Sequence, residues 1–199
     1  MENEQSLTSE QSLELITRTI IEAKNDYYDT GISALLWGSV IIVCSMVGYV
    51  NTYLNLPALN YIWWLTVVAV APQVIISIRE RKARGYRSHV SELIGGVWFS
   101  YAIAVFLFSF IDSRLDMKQG TDFCVYLTLF GIPTFATGYG RHFRPMIVGG
   151  IACWVLAILV LFVRDRNVFF LMAGGALLGW FIPGLILRKR YLKVKKQHV

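Results

Sequence analysis

Eight side chains suited to gripping an anion fall in two short stretches. Arg84, Tyr86, Arg87 and His89 occupy one, and Tyr139, Arg141, His142 and Arg144 the other. A guanidinium is a planar fork of N–H donors that matches phosphate or carboxylate oxygens. The chemistry expected is recognition of an anionic lipid headgroup or of an acidic helix. The plainer reading makes these cations topology determinants solvated by headgroups, which leaves the repeated Tyr and His unexplained. A second set consists of Pro72, Gln73, Pro133 and Pro183. Each proline removes a backbone hydrogen bond and bends a helix, and Gln73 places an amide inside an apolar run. These four are candidates for a kink or a cavity; the alternative is ordinary structure, with Gln73 bonded to a neighbouring helix.

No other constellation suggests chemistry. The chain has no phosphate-binding Walker loop, no H-E-x-x-H and no G-x-S-x-G. His89, His142 and His198 lack the short spacing of metal ligands. Cys44, Cys124 and Cys153 lie in apolar runs without a C-x-x-C pattern, as buried small hydrophobes do. Neither catalytic residue, metal nor cofactor is expected. The letters T-G-Y-G at 137–140 match a potassium filter, but a filter needs a re-entrant loop exposing carbonyls. Here Arg141 follows at once, so the stretch reads as a helix end. Gly138 or Gly140 is expected to supply a left-handed cap and Pro145 to open the next helix.

The elements that hold these residues are apolar. Of 199 residues, 55% are hydrophobic and only 16% charged, with a mean hydropathy of +0.51. A soluble domain has no means of hiding so much apolar sequence. Six blocks approach the ~20 helical residues that cross a bilayer: 32–52, 59–78, 93–111, 123–137, 146–163 and 168–187. The fourth is the shortest and contains Pro133. None carries Asp, Glu, Lys, Arg or His, which argues against a proton-driven pump. With the N-terminus inside, the inner segments hold fifteen Lys and Arg and the outer ones four. Both termini are therefore expected in the cytoplasm, and the net charge of +6 is an orientation signal rather than a nucleic-acid footprint. Tyr49, Tyr53, Tyr61, Trp63 and Trp64 gather at the outer boundary as an aromatic belt.

Residues 1–31 are different. They carry seven acids against Arg18 and Lys24, the wrong charge for a cleavable leader. Leu13, Ile16, Ile20, Ala23 and Tyr27 recur at three and four residues and form one apolar stripe of a helix. Its polar face is acidic, which disfavours lipid. The stripe is expected on the protein's own cytoplasmic surface, or in the groove of a cytosolic partner or second subunit. Three regions follow: a cytoplasmic amphipathic helix over 1–31, a six-helix transmembrane domain over 32–187 and a basic cytoplasmic tail over 188–199. The motifs S-L-E-L-I (12–16), A-K-N (23–25) and L-L-W-G (35–38) resemble the opening of a group of uncharacterised bacterial six-helix integral membrane proteins. The resemblance covers about the first 40 residues. It implies a bacterial inner-membrane protein and carries no activity with it.

The chain also resembles itself. Gly85, Tyr86 and His89 align with Gly138, Tyr139 and His142 at an offset of 53, and Gly95-Gly96 with Gly149-Gly150 at 54. The unit is a cytoplasmic turn followed by a helix out and a helix back, so three tandem hairpins are expected. Ala34-x-x-x-Gly38, Cys44-x-x-x-Gly48, Gly96-x-x-x-Ser100 and Gly175-x-x-x-Gly179 are spaced for close helix packing within the molecule. The fold expected is all-α and polytopic. The leading functional expectation is a non-enzymatic regulatory or scaffold module acting through its cytoplasmic face, with membrane lipid and a cytosolic protein or second copy as partners and no nucleic acid. The alternatives are a small channel or transporter for a neutral or lipid-like solute, and a membrane enzyme.

Overall fold

The computed structural model describes residues 30–83, 89–115, 119–163 and 165–197, together with Leu13. Most of the N-terminal stripe, with Arg84, Tyr86, Arg87 and His198, lies outside the described residues. The described chain is helical throughout, without strands. Helix α1 spans Ile32–Leu54, a 3-10 segment Pro57–Trp63 leads into α2 (Trp64–Ala83), and α3 spans His89–Leu115. Then follow α4 (Gln119–Gly140), α5 (Arg144–Val160) and α6 (Val168–Ala176). A π-helical segment, Leu177–Phe181, joins α6 to α7 (Ile182–Gln197) in one continuous run. The basic tail is therefore an extension of α7, with no break at Leu187.

Four of these elements are long and apolar enough to cross a membrane: Ile32–Leu54, Pro57–Lys82, His89–Leu115 and Val168–Lys193. Helix α5 is apolar but shorter, and α4 is not among the four. The weakness expected of the fourth apolar block thus appears in its helix.

The helix ends follow local rules. Gly31 precedes α1 with φ 69°, the left-handed conformation that glycine adopts without steric cost. Any Cβ there would also lie 2.5 Å from the Gly184 carbonyl oxygen. Asn55 closes α1 in the left-handed region, its N–H bonded to the Asn51 carbonyl at 2.9 Å. The Asn51 side chain accepts from the Leu56 N–H at 2.9 Å and donates to Asn60 at 2.7 Å, which turns the chain toward α2.

The centre of the bundle is α5, wedged between α4 and the run α6–α7. A Cβ on Gly149 would sit 2.5 Å from the Leu178 carbonyl oxygen, and one on Gly150 would sit 2.8 Å from the Phe135 nitrogen. Two adjacent glycines thus let helix backbones approach from both sides, which drives packing where lipid offers no hydrophobic gain. Helix α1 closes on the run in the same way, through Gly38 against Phe181 and Gly184 against Leu35. Gly48 meets the Phe169 ring, and Gly175 meets Leu127. Gly96 departs from this pattern: a Cβ on Gly95 or Gly96 would meet nothing within 4 Å among the described residues. The spacing of Gly96 and Ser100 permits close packing, but no helix of the described chain approaches them.

Candidate functional site: the glycine-tyrosine turn and the α3–α4 groove

The stretch over residues 137–145 is a helix end. The Phe143 N–H bonds to the Gly138 carbonyl at 2.8 Å and the His142 N–H to the Tyr139 carbonyl at 3.2 Å, a 6→1 and 5→2 pair. The left-handed residue of this motif is His142, with φ 50°, and not either glycine. Gly138 is spent differently, because a Cβ there would fall 2.6 Å from the Ile147 nitrogen. The glycine admits the first turn of α5, and the left-handed position falls two residues beyond the helix, at His142. Pro145 opens α5 as expected.

Of the first basic stretch only His89 lies among the described residues, whereas the second runs from the end of α4 to the start of α5. Gly140, at the end of α4, faces Val90 and Ile94 in the first turns of α3, about one van der Waals contact away. His89, Tyr139, His142 and Arg144 are all exposed, and Arg141 is half-buried. The Arg190 guanidinium of α7 lies 5.1 Å from the centroid of the buried Phe143 ring, so the basic run reaches the same turn. The aligned histidines do not share a conformation: His89 is helical and His142 left-handed.

The kink residues separate. Pro133 and Pro183 are fully buried, whereas Pro72 is exposed on α2. Gln73 is saturated. Its carbonyl oxygen accepts from the Trp37 indole at 3.1 Å, and its amide donates to Ser33 at 3.1 Å and Ser77 at 3.0 Å. This is the neighbouring-helix alternative, and it pins α2 to α1. Thr30 adds a bond from its hydroxyl to the Glu80 carboxylate.

Sequence reasoning missed the polar pairs inside the bundle. The Trp180 indole donates to Thr134 at 2.8 Å, and the Trp98 indole donates to Thr137 at 2.9 Å. Each threonine hydroxyl in turn donates to the carbonyl one turn back, Phe130 or Pro133. Trp180 projects from the π segment, which ends two residues before Pro183. A widened turn relieves the clash between a proline ring and the carbonyl four residues earlier, here Gly179. The spacing Thr134-x-x-Thr137 around Pro133 was a readable signal, but its indole partners lie far away in sequence.

One groove of about 790 Å³ opens between α3 and α4. His89 and Glu92 line one end, and Gly96, Ser100 and Ala104 continue along α3. Leu129, Ile132 and Pro133 form the α4 wall. At the opposite end of the same hairpin, Asp122 lies in the first turn of α4, outside the apolar run 123–137. Burial, with the nearby Asp112 charge, pushes its carboxyl up to about 6. Among the described residues no three His, Cys, Asp or Glu side chains converge as metal ligands. No family model, curated protein or solved structure matches the chain.

Proposed function

We propose that the chain is a six-span integral membrane protein of the bacterial inner membrane, built as three hairpins with both termini in the cytoplasm. In this reading it is a regulatory or scaffold module that acts through its cytoplasmic face and carries no solute through its centre. The observation that supports it best is the close-packed interior, where Gly149, Gly150, Gly138 and Gly38 hold helix backbones together and Pro133 and Pro183 are buried. A transport path at bilayer depth needs polar or irregular backbone lining a cavity. The buried Thr134 and Thr137 hydroxyls are instead taken up by tryptophans and carbonyls. Helices α4 and α5 complete the six spans, because they pack most extensively against each other and need less hydropathy than helices facing lipid on most sides. The face is assigned by charge: residues 1–31 sum to −5, and the inner loops and tail to +12.

Two measurements test this. Full-length protein in sealed liposomes should release small neutral solutes no faster than empty vesicles, and release would overturn the reading. Deleting residues 1–28 should change the set of proteins that co-purify, and an unchanged set would remove the scaffold role.

A further inference from the structure

The α3–α4 groove exists because side chains are missing from it. Gly149-Gly150 is filled from two sides by helix backbone, yet a Cβ on the aligned Gly95 or Gly96 would meet no atom of the described residues within 4 Å. Gly96, Ser100 and Ala104 recur at four-residue spacing and give α3 a shallow floor, while Leu129 and Ile132 of α4 make the wall. At ~300–1,000 Å³ a cleft takes a small molecule, and this one measures about 790 Å³. Its polar end is specific in kind, because His89 and Glu92 are one turn apart on the same face and offer imidazole N–H and a carboxylate.

We propose that this groove holds one phospholipid with an amine headgroup. One of its two acyl chains lies along Gly96, Ser100 and Ala104 against Leu129 and Ile132. The phosphate takes the His89 N–H, and the ammonium takes the Glu92 carboxylate. A zwitterion is the headgroup that complements one donor and one carboxylate side by side. A second copy of the chain is a poor occupant. A two-fold contact sets a patch against itself, and two grooves facing one another leave a void rather than filling it.

The inference rests on α3 and α4 being membrane spans, so that reading is measured separately by whether the protein stays with membranes after alkaline carbonate. Delipidated full-length protein is titrated with phosphatidylethanolamine, phosphatidylcholine or phosphatidylglycerol and read by intact-mass spectrometry. One equivalent of phosphatidylethanolamine should persist where phosphatidylglycerol is stripped. Glu92→Gln should weaken phosphatidylethanolamine about tenfold, the loss of one charge-assisted bond. His89→Gln, which changes the phosphate contact common to all three lipids, should weaken them alike. Gly96→Leu should abolish the adduct, and Ser100→Leu should do the same if Gly96→Leu lowers the melting temperature. Equal retention of all three headgroups, or an adduct that survives both leucine variants, overturns the proposal. So does an oligomer or bound protein that disappears with Gly96→Leu, because a helix then fills the groove. No phosphatidylethanolamine adduct on the unsubstituted protein, when that protein still resists carbonate, refutes the groove and leaves the membrane reading standing.

Discussion

In α5, Gly149 and Gly150 are pressed between two helices, whereas in α3 nothing among the described residues packs against Gly95 and Gly96. The difference extends to the whole of each region. Helix α5 fits among α4 and the run α6–α7, and 44% of the apolar window Val168–Lys193 is buried. Helices α2 and α3 lie outside this core, each with 6% of its window buried. Among the described residues α2 packs on α1 and the 3-10 segment, and α3 packs on α4, with Trp98 and Tyr101 reaching the Trp180 ring. In water such exposed helices would be unstable, but in lipid their apolar faces cost nothing. A Gly-Gly pair is thus a capacity for close approach, and the neighbours decide whether it is used.

The sharpest way to break the comparison is to damage the core where it is densest. Trp180→Ala removes a buried indole and its hydrogen bond to Thr134, and should cost ~3–5 kcal/mol by unfolding in detergent. If it costs no more than an α2 substitution, the core is not where stability resides. Gly149→Ala drives a methyl into the Leu178 carbonyl and should cost ~1–3 kcal/mol. Gly95→Ala, the matched change, should instead stabilise by up to ~1 kcal/mol, through helix propensity alone. Equal effects at the two sites would dissolve the distinction between the pairs.

A pH titration sharpens the boundary at Asp122. Its folded carboxyl titrates near 6, above the ordinary value, so the fold favours the protonated form. Its contribution is fully present below the unfolded pKa of about 4 and is lost as pH rises through about 6. Asp122→Asn should flatten the fall in stability over that window, and an unchanged slope would assign it to another group. The smallest effect is expected at the periphery. Gln73→Leu breaks two hydrogen bonds across the α1–α2 contact and one within α2, yet polar contacts between membrane helices average only ~0.6 kcal/mol.

Much of this was legible residue by residue. Runs without charge specify helices of spanning length, Gly31 marks the break before α1, and Pro145 marks the start of α5, because each follows from local sterics. The intramolecular use of Gly38, Gly48 and Gly175 was legible from spacing. The cap at His142 was not: Gly140 and Gly138 are better left-handed residues, and only the approach of Met146 and Ile147 shows why Gly138 is needed elsewhere. The indole–threonine pairs were equally hidden, since Trp180 and Thr134 are 46 residues apart.

By itself the sequence determines that the chain is helical and apolar, where its helices break and how its cations are distributed, because those properties depend on neighbours along the chain. Tertiary structure decides which glycine pair is buried, that Gln73 is saturated rather than free, and that a groove remains between α3 and α4. Those outcomes depend on which helices meet, and helices of near-uniform apolar character carry almost no signal of their partners. Shape and a few hydrogen bonds, settled only in three dimensions, make that choice.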